Sequence, residues 1–227
     1  MPRKKMKQGN QANLAQRILN LDNYDLAKTI ADDARACYPI NQPSKSLQIK
    51  AVMHLVRLKN MFVMAGTGFG KSCVPELYVH LFVKSSKPVV LVLNPLDALG
   101  DNQVQEKITQ KFTAINLKKL TFNRRVADEV LRGTYNFVYL SPKIFLNNEI
   151  WGLVASGKAK KSSAHKRHQD KALFWPSYGD MGSRLMATES LPLLMLSATC
   201  QPLAVKAIWK CLQIPKENMR FIYAELT

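Results

Sequence analysis

The chain has 227 residues, 47% of them hydrophobic, with 33 Lys and Arg against 16 Asp and Glu and a net charge of +17. That length and apolar content suit one sizeable core with an accessory subdomain; they exclude a disordered chain, and no apolar run reaches the length of a membrane span. The positive excess asks for an anionic partner, most simply nucleic acid, and the four cysteines (Cys37, Cys73, Cys200, Cys211), without paired or zinc-site spacing, fit a reduced intracellular protein with no structural metal.

Residues 1–12 read as a basic, disordered tail. Its run Arg3-Lys4-Lys5-Met6-Lys7 has no apolar stretch after it, so it is not a secretory signal; it reads equally as a nuclear address or a solvated tail. Asp25 is placed to cap a helix with Leu26, Ile30 and Ala34 on one face. Tyr38 to Lys45, with two prolines, reads as a loop. Ser46 to Lys59 has helical spacing at Leu47, Ala51, Leu55 and Leu58.

A short apolar strand, Met61-Phe62-Val63-Met64, then enters Ala65-Gly66-Thr67-Gly68-Phe69-Gly70-Lys71-Ser72, and an amphipathic run from Cys73 to Val83 follows. Strand, glycine-rich turn, Lys-Ser and helix in that order define a phosphate-binding P-loop. The glycines turn backbone N–H groups inward. Lys71 is placed to neutralise the β- and γ-phosphates, and the Ser72 hydroxyl to hold Mg²⁺.

Continuous apolar runs at Pro88–Leu93, Asn136–Leu140, Leu191–Leu196 and Phe221–Ala224 read as parallel strands buried on both faces, with a short helix at Val126–Leu131. The expected fold is α/β, a parallel β-sheet flanked by helices, with ligands at the carboxyl ends of the strands. A segment at about 148–173 breaks the pattern as a basic surface loop, so residues 13–227 form one domain with one insertion. The positive charge gathers at Arg3–Lys7, Lys118–Arg125 and Lys158–Lys171.

The motifs together resemble a family. Ala65 to Ser72 is similar to motif I of superfamily 2 helicases (the DEAD/DEAH type), and the remainder resembles the RecQ-like DNA helicases. Pro95-Leu96-Asp97-Ala98-Leu99 with Gln103-Val104 resembles motif Ia, and Val138 to Pro142, with Lys143 following, resembles motif Ib. Phe174-Trp175-Pro176-Ser177-Tyr178 with Arg184 resembles the segment after the family's aromatic-rich loop, to whose Trp-Gly Trp151-Gly152 is similar. Ser197-Ala198-Thr199 resembles motif III. The resemblance runs from about residue 38 to the C-terminus.

The resemblance implies a P-loop NTPase of the RecA-like kind, the first motor domain of an ATP-dependent DNA helicase acting in the nucleus on single-stranded or forked DNA. ATP and Mg²⁺ are the implied ligands, with Gln48 on the adenine, Ala65 to Ser72 on the triphosphate, and Tyr38 near the base. Pro95, Leu96, Gln103, Ser141, Pro142 and Lys143 would face nucleic acid, and Ser197, Ala198 and Thr199 would couple nucleotide state to movement. An amide suits adenine because it pairs with a donor and an acceptor on one base edge.

The departures are equally specific. No Asp-Glu-x-His occurs; the one Asp-Glu pair, Asp128-Glu129, precedes motif Ib and reads as a solvated helix face, and Glu149 follows only a short apolar run. In the family those carboxylates bind Mg²⁺ and position the attacking water, so no catalytic residue is assigned and hydrolysis is expected to be crippled. Their strand is interior to the family's sheet, so its loss would leave unpaired backbone. The chain also stops soon after motif III, where the family adds a second RecA-like domain with an arginine finger. Trp175 stands where Arg is usual, and Ser44 where an aromatic is. The expectation is therefore ATP and nucleic-acid binding without unwinding; the other reading is a non-enzymatic basic nucleic-acid-binding remnant or incomplete gene product. A small P-loop kinase or GTPase fits less well, since no guanine-reading Asn-Lys-x-Asp is present.

Overall fold

The computed structural model describes Leu14 and residues 16–38, 44–94, 97–151, 191–212 and 216–224. Eight α-helices and six strands follow in chain order among these residues: α1 (Gln16–Leu19), α2 (Asn23–Cys37), α3 (Ser46–Val56), β1 (Asn60–Met64), α4 (Cys73–His80), β2 (Val90–Leu93), α5 (Asp97–Thr109), β3 (Ala114–Leu117), α6 (Arg124–Leu131), β4 (Phe137–Leu140), α7 (Pro142–Asn147), β5 (Leu194–Ser197), α8 (Pro202–Leu212) and β6 (Met219–Tyr223).

Every strand pairing is parallel, and the strands form two three-stranded sheets, β5-β1-β6 and β2-β4-β3. Parallel neighbours need crossovers, and the intervening helices supply them. The central strands behave as their sequences require. β4 is buried along its whole length and β1 at Met61, Phe62 and Val63, as continuous apolar runs between two layers should be. The outer strands differ from the expectation of burial on both faces. Leu91 of β2 is 41% exposed and Leu196 of β5 is 40% exposed. Each of these strands pairs on one side only among the described residues, and the exposure of Leu91 and Leu196 refers to those same residues.

Helices α2, α3 and α4 pack on one another, and α3 packs on β1. Leu26, Ile30 and Ala34 of α2, Ala51 and Leu55 of α3, and Val74 and Leu77 of α4 join one core. A second core gathers Leu117, Val130, Phe145 and Trp151. The α2 cap is one turn earlier than its sequence suggests: Asp22 is the N-cap and accepts from the Asp25 N–H at 2.8 Å, which leaves Asp25 inside the first turn. Helix α3 ends at Val56, and Leu58, expected on its apolar face, takes a left-handed turn at φ 56°. Gly100 of α5 lies so close to β3 that a Cβ there would stand 2.6 Å from the Asn116 side chain; the absence of a side chain sets how near this helix approaches the sheet.

Candidate nucleotide site and nucleic-acid interface

The site begins where β1 ends. Ala65 to Ser72 turns from the strand into α4, with Gly68 and Gly70 both at φ 80°. That left-handed conformation strains any residue with a Cβ, so the two glycines are required by the backbone. A Cβ on Gly68 would meet nothing within 4 Å, so the space before the loop is open. Lys71 folds into the loop mouth, its Nζ donating to the carbonyls of Ala65 and Gly66 at 2.7 Å each. Thr67 and Gly68 are exposed, and Gly66, Phe69, Gly70, Lys71 and Ser72 are half-buried. Ser72 occupies the N-cap position of α4 without a side-chain capping bond. Open backbone, an ammonium at the mouth and a hydroxyl at a helix N-terminus are the donor set that a triphosphate with a divalent cation takes.

Gln48 is 4% exposed and turned onto this loop. Its Nε2 donates to the Phe69 and Gly70 carbonyls, both at 3.0 Å, while Oε1 accepts from the Lys45 N–H at 2.7 Å. A Cβ on Gly70 would lie 2.6 Å from that Nε2. Lys45 places its ammonium 5.0 Å from the Phe69 ring centroid, a second tie between the α3 N-terminus and the loop. Tyr38 ends α2 close by, and its hydroxyl donates to Glu76 of α4. Burial pushes the Tyr38 phenol well above its ordinary 10.0, with the Glu76 carboxylate adding to the effect. Cys73, the first residue of α4, has its thiol raised chiefly by burial and then by Glu76.

Ser197, Ala198 and Thr199 stand beside the loop because β5 pairs with β1. Met64 is in register with Ser197, and the Ala65 N–H donates to the Ser197 carbonyl at 3.1 Å. The Ser197 hydroxyl donates to the Thr199 carbonyl at 2.9 Å, which fixes the turn after the strand. A cavity of about 330 Å³ opens there, with Ala65, Ala198, Thr199, Gln201 and Tyr223 in its wall.

Of the expected nucleic-acid residues, Ser141, Pro142 and Lys143 follow the carboxyl end of β4, and Gln103 lies on α5, which follows the parallel strand β2. Pro95 and Leu96 lie outside the described residues. Gln103 accepts from Nδ2 of Asn94, the residue after β2, at 2.6 Å. Ser141 caps α7, accepting from the Ile144 N–H at 3.4 Å, while Pro142 is buried at its first position and Lys143 is exposed. Lys119, Arg124 and Arg125 are exposed beyond β3, and Lys118 pairs with Asp101 at 2.6 Å. The tail 1–12, the Lys158–Lys171 cluster and the Phe174–Arg184 motif lie outside the described residues.

Asp128 is exposed on α6, and Glu129 pairs with Arg125 at 3.2 Å and accepts from the Tyr135 hydroxyl at 2.8 Å. This pair is a solvated helix face, as its sequence context implies. Among the described residues no cluster of three or more His, Cys, Asp and Glu is arranged to hold a metal, and no helix is long and apolar enough to cross a membrane. Trp151 belongs to the interior: it is 1% exposed, between Phe122 and Phe145, and its indole N–H meets no acceptor among the described residues. The sequence reading passed over Glu76 and Lys107, both buried in contact with each other. Nothing in the sequence marks them, since the two positions are 31 residues apart and on different helices.

Parallel strands, flanking helices and the loop after β1 define a RecA-like nucleotide-binding domain. A family profile described as DEAD/DEAH box helicase matches residues 45–207. The chain belongs to that family. It is 28% identical over 170 residues to ATP-dependent helicase SGS1 of Saccharomyces cerevisiae, which is 67% of this chain and 11% of that protein. It is 24% identical over 147 residues to ATP-dependent DNA helicase RecQ of Pasteurella multocida, 62% of this chain and 23% of that protein. The chain therefore spans less than a quarter of either relative. The DUF1998 helicase MrfA, solved bound to DNA, superposes with a TM-score of 0.52 at 13% identity over 78% of this chain and 25% of that one. MrfA with DNA and AMPPNP gives 0.52 at 12% identity, over 77% and 26%.

Proposed function

We propose that this chain is the ATP- and nucleic-acid-binding first motor domain of a RecQ-like DNA helicase, able to bind Mg-ATP and DNA but not to unwind DNA on its own. The observation that carries the reading is the P-loop itself, with paired left-handed glycines, Lys71 at its mouth and Ser197 bonded to its first residue. Backbone N–H groups of Gly66 to Ser72 take the phosphate oxygens. Lys71 is placed to take the β- and γ-phosphates, and the Ser72 hydroxyl would hold Mg²⁺. The cation, when bound, would supply charge neutralisation. Gln48 contacts adenine while its Nε2 keeps the loop carbonyls, so base binding and the shape of the loop are linked. Ser197 to Thr199 registers the state of the loop through the Ala65 bond.

Single-stranded or forked DNA runs across the carboxyl ends of β2 and β4, past Pro95, Leu96, Gln103, Ser141, Pro142 and Lys143. The basic segments supply phosphate contacts, and Arg3–Lys7 directs the protein to the nucleus. Hydrolysis is slow because no Asp-Glu follows an apolar strand between motifs Ib and III. Positioned charge is most of phosphoryl-transfer catalysis, and that part is missing.

Single-turnover ATPase assays with and without single-stranded DNA test this reading. Binding without DNA-stimulated turnover is expected, with binding lost in Lys71→Ala; robust turnover that Lys71→Ala abolishes overturns it. The net charge of +17 supports a second reading, a basic nucleic-acid-binding protein that no longer uses nucleotide. Mg-ATP must raise the melting temperature if the native state binds it, and an unchanged melting temperature favours the second reading.

A further inference from the structure

Glu76 and Lys107 form a buried charge pair that the nucleotide reading does not use. Glu76 is 0% exposed and Lys107 2%. Glu76 Oε1 accepts from Lys107 Nζ, and Oε2 accepts from the Tyr38 hydroxyl. Lys107 Nζ also lies 5.6 Å from the ring centroid of Phe137, the first residue of β4. One carboxylate thus joins the end of α2, the P-loop helix α4 and the last turn of α5.

Such a pair is a poor device for stability, since desolvation offsets the attraction and apolar residues of similar volume serve as well. What it adds is direction. Two oxygens bonded to two different elements fix position as apolar contacts do not. The sequence positions connect this point to both binding regions. Glu76 follows Ser72 by four residues, one helical turn, so its position sets that of the P-loop end. Lys107 follows Gln103 by four residues on α5, and Gln103 is bonded to Asn94, from which the chain runs into Pro95 and Leu96.

We infer that Glu76 and Lys107 are positioning residues that couple the nucleotide site to the bonded pair Asn94 and Gln103 at the carboxyl end of β2, where the proposed function sets nucleic acid, with Tyr38 holding the carboxylate through its second oxygen. The inference rests on the reading of the chain as a nucleotide- and nucleic-acid-binding domain. It requires that nucleotide affinity change when nucleic acid binds, and that the change vanish when the tie is removed.

A fluorescent ATP analogue with Mg²⁺, titrated into the full chain with and without saturating oligo-dT, measures this. The wild type is expected to show affinities differing by about fivefold or more between the two conditions. The double variant Glu76→Met/Lys107→Met removes both charges together, so neither is left buried alone. It is expected to bring the ratio within about twofold of unity, while each ligand alone binds close to its wild-type affinity. Tyr38→Phe is expected to lower the ratio part-way. A folded double variant that keeps the wild-type ratio overturns the inference, and so does one whose affinities fall together at constant ratio. If the double variant does not fold, Tyr38→Phe decides, and an unchanged ratio overturns it. A wild type that binds both ligands independently overturns the inference and leaves the proposed function standing. A wild type that binds neither overturns the proposed function itself.

Discussion

Gln48 shows how one buried amide can both brace a loop and face the ligand that the loop holds. Its Nε2 donates to the carbonyls of Phe69 and Gly70, both at 3.0 Å. Gln48→Ala leaves those carbonyls without the amide. A hydrogen bond of this kind contributes about 1 kcal/mol net, so losing two should weaken nucleotide binding by about tenfold or more. Tripolyphosphate, which has no base, separates the two roles. A residue that only reads adenine leaves tripolyphosphate binding unchanged on substitution. Here Gln48→Ala is expected to weaken both ligands, ATP the more, as read by the shift in melting temperature each produces. Gly70→Ala should be worse. It combines a φ of 80° with a Cβ placed 2.6 Å from Gln48 Nε2, and the backbone strain alone costs about 1–3 kcal/mol. Thermal unfolding of Gly70→Ala without ligand checks that cost; an unchanged melting temperature would mean that the loop has another conformation.

At the scale of elements, local signals account for most of what forms. Helix α6 is eight residues long with Arg124 and Arg125 in its first turn, where the helix dipole disfavours cations. Asn123 offsets this, its side chain accepting from the Val126 N–H at 3.1 Å. Asn123→Ala should therefore cost about 1 kcal/mol in denaturant unfolding, and a loss near zero would mean that packing of Ala127 and Val130 holds the helix by itself. The sequence made β1, β4, α3, α4 and α6 readable because their apolar residues recur at a definite period or run unbroken. Helices α1, α5, α7 and α8 and strand β3 carry no such signal. Strand β3 is Ala-Ile-Asn-Leu, too short and too mixed to mark itself, and its place comes from pairing with β4. Helix α5 is polar around most of its circumference, with Gly100 and Lys107 on the inner face where a leucine would have marked it. The P-loop could be read because its residue types are dictated by backbone geometry. The Glu76–Lys107 pair could not, because a charge in a helix gives no sign of whether a partner from a distant element will bury it.

The whole molecule sets a strong charge against the outer strands of its two sheets. Strands β2 and β5 each pair on one side among the described residues, and Leu91 and Leu196 stand partly exposed on them. An apolar edge with open backbone groups is a template for pairing with another chain. A net charge of +17 works in the opposite direction, since copies repel one another at low ionic strength. Which effect prevails depends on screening, because the Debye length falls from about 10 Å at 0.1 M salt to about 3 Å at 1 M. Self-association is therefore expected to rise with salt, opposite to the trend for association held by charge. Leu91→Lys/Leu196→Lys should suppress it, since lysines on an edge oppose pairing, while the melting temperature stays near that of the wild type because both sites are already exposed. Sedimentation velocity at low and high salt reads the outcome. A wild type that stays monomeric across the salt range would mean that both edges are covered, and association that the lysines leave unchanged would place the contact on another surface.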